Sequence, residues 1–233
     1  MPTLPFCDVS LPRFALVIAL TACQSCTFAG HAADTARIQE ARRIVKQFRD
    51  GMAGGIAERN LALYSEDVVM YRSDGRPPVV GREAMRPIEE FHAVVRPQVT
   101  YHGLEFEARG QRIVVSIRGA TEKAPLFAAM GLPRMTMRAV QGAMEVEHGR
   151  IVVMREAGFK PSCERVFPEA IRLTLQWLRE HGDPRLDVVA PGGRPRVDGT
   201  SAAPWIAAIG DWRLASGWAP PAAEVADCGR FDP

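Results

Sequence analysis

Lysine is nearly absent from this sequence: of its 29 basic residues only Lys46, Lys123 and Lys160 are lysines. The 27 acidic residues almost balance the basic ones, leaving a net charge of +2. With no basic stripe and aromatics at only 7% of residues, nothing points to a nucleic-acid partner. Apolar runs are short as well. None reaches the roughly 20 residues that a membrane-crossing helix needs, so no span is expected. There is no internal repeat. His92, His102 and His148 fall on a predicted helix, an edge strand and a turn, with no metal-ligand spacing between them, so neither a metal nor another cofactor is expected. The glycines of "VAPGGRPR" do not lie between a strand and a helix, which removes a phosphate-loop reading.

Cysteine is scarce and unevenly placed. Cys7, Cys23 and Cys26 lie near the N-terminus, and only Cys163 and Cys228 follow. Arg13 precedes "FALVIALTA" and then small residues, the layout of an export signal over 1–32 with cleavage after Ala32. That cleavage leaves an even pair of cysteines for an oxidising compartment, so a Cys163–Cys228 bridge is expected. The rival is "LTAC", residues 20–23, which resembles a bacterial lipobox and would make Cys23 a lipid-bearing N-terminus while leaving Cys26 unpaired. The expected location is periplasmic or secreted, with a lipoprotein anchored at Cys23 as the alternative.

The sequence as a whole has the composition of a folded domain, 47% hydrophobic and 24% charged. Ile38, Ala41, Ile44 and Phe48 recur at helical spacing over 34–53, and a shorter helix is predicted around 57–67. A strand "VVMYRS", a turn "DGRPP" and a helix over 81–95 follow, with Pro87 in its first turn or kinking it. Strands are predicted over 101–108, 112–121, 134–147 and 150–159, the last two joined by a tight turn at His148–Gly149. Helices followed by an antiparallel meander predict an α+β domain over 34–160, its helices packed on one face of a curved, cone-shaped sheet. Residues 164–181 read as one more amphipathic helix, and the Pro- and Gly-rich remainder to 233 as an irregular tail, not a second domain.

"GRIVVMREAGF", from Gly149 to Phe159, poses the functional question, because a strand apolar on both faces ends in Arg155 and Glu156. Alternation places Glu156 with Val152 and Met154, and Arg155 on the other face.

The stretch 44–159 resembles the SnoaL-like, nuclear-transport-factor-like superfamily, and within it the limonene epoxide hydrolases. "IVKQFRDGM" resembles the first helix, "LYSEDVVMYRSDGRPPVVGREAM" the helix–strand–turn–helix signature, and "GAMEVEHGRIVVMREAGF" the closing hairpin. The resemblance implies opening of an epoxide by water in one step, with one carboxyl group as base, another as acid and an arginine between them. It assigns Arg118 as the bridging arginine, Glu156 as the second carboxylate and Tyr71 as the water-holding tyrosine; Ser73 replaces an asparagine. Ala120 stands where the first carboxylate belongs, and Glu122, two residues on, is the candidate replacement. Met154 and Phe48 are expected to line the pocket. Phe48 and Arg72 fall where ketosteroid isomerases carry a tyrosine and an aspartate base, a poorer match. The implied partner is a small apolar molecule, and a homodimer through the outer sheet face is implied as well. Two readings result: a hydrolase or isomerase, or a non-catalytic binding or interaction module on the same fold with Arg118 and Glu156 as a structural ion pair.

Overall fold

The computed structural model describes residues 15–231. Residues 1–14, where the expected export signal begins, lie outside them. The chain runs through α1 (Ala15–Gly54), α2 (Ala57–Leu61), β1 (Tyr64–Tyr71), β2 (Val79–Val80) and α3 (Arg82–Val95). The strands β3 (Gln98–His102), β4 (Glu105–Arg109), β5 (Arg112–Ile117) and β6 (Gly119–Lys123) follow. After α4 (Pro125–Ala129) come β7 (Met135–Met137), β8 (Val140–Glu147) and β9 (Arg150–Arg155). Four helices end the described chain: α5 (Pro161–Glu180), α6 (Arg185–Val189), α7 (Gly199–Ser216) and α8 (Ala222–Cys228). No helix among the described residues is long and apolar enough to cross a membrane.

Strand order is β2-β1-β9-β8-β5-β4 in one sheet and β3-β6-β7 in the other. β1 runs parallel to β9, and the remaining pairs are antiparallel. The long strands read from the sequence are each bent once. The first breaks at Gly103 (φ +60°), the second at Arg118, the third between Met137 and Val140, and β9 stops at Arg155, with only an isolated bridge from Phe159 to Met137 beyond it. The bends lie side by side, because His102 pairs with Gly119 and Ala120 with Met137 across the second sheet. Three neighbouring strands therefore turn a corner together, which curves the α+β layer as expected. The His148–Gly149 turn carries positive φ at both residues (48° and 70°), the two-residue hairpin geometry that follows the strand twist. Pro87 lies inside α3, beyond its first turn.

Two apolar cores form. One lies between α1, α3 and the concave side of the larger sheet, with Ile44, Phe48, Tyr64, Val68, Met85, Ile113, Val115 and Ile151 buried. The other joins α4, α5, α7, α8 and β7 around Phe127, Leu132, Met135, Val166, Leu178, Trp205 and Trp212. The second core corrects the expectation of an irregular tail. Asp198 caps α7 by accepting from the backbone N–H groups of Thr200 and Ser201 at 3.0 Å each, and Ser201 Oγ is 3.1 Å from the Asp198 N–H, a reciprocal capping box. The helix then buries Ser201, Ala202, Trp205, Ala208, Ile209 and Trp212 among its neighbours. It is apolar around much of its girth, so no helical stripe is visible in the sequence. Cys163 and Cys228 are bridged, as expected, with Cα atoms 5.0 Å apart and a sequence separation of 65. Closing a loop of that length is worth about 4 kcal/mol on a chain-entropy basis.

Candidate functional site

The residues named by resemblance do not meet. Arg118 lies at the corner between β5 and β6. Ile113, Val115 and Ile117 point to the core from β5, whereas Ala120 and Glu122 do so from β6, so the alternation slips by one residue at the bend. Arg118 is turned outward, 71% exposed, and its guanidinium binds Glu105 at 2.9 Å. Tyr71 is 48% exposed on the outer face of the larger sheet, beneath the Arg155 guanidinium at 5.4 Å. Arg155 is outward, as alternation predicts, and donates to the Gly142 carbonyl at 2.7 Å and to Glu145 at 3.0 Å. Glu156 follows the Met154 side but sits in the open, accepting from the Ser73 N–H at 3.1 Å and the Ser73 hydroxyl at 3.4 Å. Phe48 is a core residue, 3% exposed, with its ring edge-on to Tyr64 at 6.1 Å. Met154 does lie on the concave side, opposite Met70 on β1 and Met144 on β8.

Of the four expected catalytic residues, Glu122 is the one that faces inward. It pairs with Val99 of β3 and Met135 of β7, and Tyr101 and Ala120 continue the same face. No hydrogen bond to its carboxylate is made among the described residues. Burial therefore dominates and pushes its pKa up to about 7, opposed only by the charge of His92. Half of its population is ionised near neutral pH.

His92 comes from α3, one turn beyond Glu89. The Glu89 carboxylate is 1% exposed and fully engaged: the Tyr64 hydroxyl donates to Oε1 at 2.6 Å and the Asn60 amide to Oε2 at 2.9 Å. His92 Nδ1 stands 3.8 Å from Oε2, with the ring one-third exposed. Burial alone would raise the Glu89 carboxyl, but His92, Tyr64 and Asn60 outweigh it and hold it below the usual carboxylate range. Burial alone would likewise lower His92, but Glu89 and then the charges of Glu122 and Glu156 outweigh it and raise its pKa. Burial, then the charge of Glu122, raises Tyr101 and keeps its phenol protonated. The concave side thus presents a half-ionised carboxyl, an imidazole biased toward its cation and a phenol. Chemically these are acid–base groups, and the charge of the buried Glu89 carboxylate, its Oε2 3.8 Å from Nδ1, favours the imidazolium. Among the described residues no cluster has the make-up of a metal site.

The sequence signal for this set is thin. Glu89 and His92 are three apart on a predicted helix, the spacing that places both on one face, but Asn60 and Tyr64 reach them only through the fold. Once the corner at Arg118 is known, Glu122 and Tyr101 follow from cross-strand register.

No family model matches the sequence, and no curated protein does. Solved structures similar to this chain include an NTF2-like protein from Burkholderia xenovorans LB400, 21% identical over 53% of this chain and 91% of its own, with a TM-score of 0.36. A protein with a cystatin-like fold from Nostoc punctiforme PCC 73102 is 12% identical over 53% of this chain and 91% of its own, TM-score 0.40. The epoxide hydrolase/cyclase-like enzyme SalBIII, which takes part in pyran ring formation in the polyether salinomycin, is 16% identical over 53% and 93%, TM-score 0.39.

Proposed function

We propose that this chain is an exported protein whose concave interior takes a small, mostly apolar molecule and transfers a proton on it, in a hydrolysis or an isomerisation. The observation that carries this reading is the inward Glu122, without a hydrogen-bond donor, facing the electrostatic reach of His92. Apolar walls are supplied by Val99, Tyr101, Ala120, Met70 and Met154. Export is supported by the bridge between the two cysteines that follow the leader. Soluble export is preferred to a lipid anchor at Cys23, which would leave Cys26 without a partner.

The epoxide-opening chemistry implied by the family resemblance can be redrawn on this set. The Glu122 carboxylate takes a proton from water as the water oxygen bonds to carbon, the carbon–oxygen bond of the ring breaks, and the His92 imidazolium gives its proton to the departing oxygen. In an isomerisation the same carboxylate removes a proton from carbon beside a carbonyl and returns it to another carbon, while His92 or the Tyr101 phenol holds the oxygen. Both need Glu122 ionised, so the rate should rise as pH passes through about 7, and where His92 is the proton donor it should fall again once His92 deprotonates. A binding module is the second reading, favoured by Arg118 and Glu156 being held apart by Glu105 and Ser73.

The test begins with mass spectrometry of small molecules retained by the purified protein, followed by turnover of apolar epoxides and β,γ-unsaturated ketones. Glu122→Gln should lower kcat by about 100-fold or more, and Glu156→Gln should leave it within a few-fold of the parent. Turnover that survives Glu122→Gln but not Glu156→Gln returns the chemistry to the set named by resemblance. Retention of a ligand with no turnover of any substrate establishes the binding module.

A further inference from the structure

The outer face of the smaller sheet is polar. Its groove, about 270 Å³, is lined by Gln98, Thr100, His102, Thr121, Lys123 and Arg134. These are the outward partners of the inward residues just described: Gln98 pairs with Lys123 and Thr100 with Thr121. Continuing the register of β6 with β7, in which Glu122 faces Met135, sets Lys123 opposite Arg134. Two like charges directly across a sheet repel and cost stability. In this protein most exposed arginines are relieved by a carboxylate, as Arg112 is by Glu145 and Glu147 and Arg118 by Glu105. Neither Lys123 nor Arg134 has a carboxylate partner among the described residues. Lys123 is also one of only three lysines in the chain.

The rest of the groove is rigidly built. The His102 ring lies flat against Phe231 at 4.1 Å, with Nε2 3.2 Å from the Thr121 hydroxyl. Phe231 follows Cys228 by three residues, so the bridge to Cys163 tethers the segment that stacks on His102. Phe231 also fills the space that a side chain at Gly119 would need, its ring 2.4 Å from where a Cβ would stand. Lys123 offers a point charge, Arg134 a planar fork of donors, and Thr100, Thr121 and Gln98 neutral polar groups beside them. We propose that this groove binds a small phosphate-bearing molecule, its phosphate between Lys123 and Arg134 and its polar body along Thr100, Thr121 and His102.

Calorimetric titration of the full-length bridged protein at low salt, with glycerol 3-phosphate, inorganic phosphate and glycerol as probes, tests this. Glycerol 3-phosphate should bind saturably and more tightly than inorganic phosphate, and glycerol should not bind. Lys123→Gln and Arg134→Gln should each weaken the phosphate probes about tenfold or more, since each removes a charged hydrogen-bond partner. Both positions are exposed, and an unchanged melting temperature would confirm that the variants fold. Phe231→Ala, which frees the His102 ring, should weaken glycerol 3-phosphate more than inorganic phosphate. Glu122→Gln, on the opposite face of β6, should leave binding unchanged. Absence of saturable binding at millimolar probe, or equal binding by the parent and both charge variants, overturns the proposal.

Discussion

Glu89 and Glu122 stand in one interior and obey opposite rules. Glu89 is buried and Glu122 half-buried, and both lie within the electrostatic reach of His92. Glu89 accepts from Tyr64 and Asn60 and is held below the ordinary carboxylate range; Glu122 accepts no hydrogen bond and is lifted to about 7. Burial raises both, and at Glu89 it is outweighed first by His92 and then by the Tyr64 and Asn60 hydrogen bonds, so the immediate partners decide the sign. On the closed side Glu89 is engaged by two hydrogen-bond donors with His92 3.8 Å away, and on the open side Glu122 accepts no hydrogen bond. The two identical side chains are set apart by their immediate partners, His92, Tyr64 and Asn60 around Glu89 and no hydrogen-bond donor at Glu122.

Breaking the closed side should have the largest effect. Glu89→Ala leaves the Asn60 amide and the Tyr64 hydroxyl buried without an acceptor and removes the counter-charge of His92. A loss of about 4 kcal/mol in the free energy of denaturant unfolding is expected, the usual cost of breaking a buried charged network. In the parent protein, Glu89 has its folded pKa below its unfolded one. Its stabilisation is therefore present above the ordinary carboxylate range and lost as pH falls below it.

The open side should respond with the reverse sign. Below pH 4.5 Glu122 is protonated whether the chain is folded or not, and it contributes no pH dependence. Between 4.5 and about 7 the unfolded chain ionises and the folded one does not, so stability falls as pH rises, and above about 7 the full cost is present. Glu122→Gln removes that cost. It should stabilise the protein by up to about 3 kcal/mol at pH 8.5, from ~1.4 kcal/mol per pKa unit, with almost no effect at pH 4. Denaturant midpoints at the two pH values check it; equal shifts at both would mean that Glu122 is solvated like a surface carboxylate. His92 adds in the same direction, because its raised pKa gives stability below about 6.5 that is lost as it deprotonates.

How much of this was legible in the sequence differs along the chain. Period-two and period-3.6 patterns located α1, α3, the β8–β9 hairpin and α5, and the parity of the cysteines anticipated the bridge. The outward direction of Arg155 was legible as well. Arg118 was not, because period-two alternation carries no mark of the one-residue slip where the strand turns between Ile117 and Gly119. Tyr71 failed for a related reason: Val68 and Met70 are the buried positions of its strand, and Tyr71 falls on the other face. Helix α7 was hidden by being apolar around its girth, although Asp198 and Ser201 already spelled its capping box. Asn60, Tyr64 and Glu89 come from three separate elements, and their meeting is a property of the fold that no local pattern records.

The smallest test probes what holds the closed side in place. Gly51 lies in α1 directly against the Asn60 side chain, and a Cβ there would stand 1.9 Å from Oδ1 and 3.0 Å from Cγ. Gly→Ala inside a helix ordinarily stabilises by about 1 kcal/mol, because glycine loses more backbone freedom on folding. At Gly51 that gain is opposed, since Asn60 must withdraw and take its amide from Glu89 Oε2. Gly51→Ala should therefore destabilise by about 1–2 kcal/mol, the cost of one hydrogen bond to a charged acceptor less the helix gain. It should also shift the pKa of His92, read by NMR titration of its ring. Gly54→Ala is the paired control: a Cβ there meets only Arg59 Nη1 at 3.9 Å, so neither stability nor the His92 titration should suffer. If the two variants behave alike, Asn60 is not what fixes Glu89, and the contrast between the two carboxylates must rest on His92 and Tyr64.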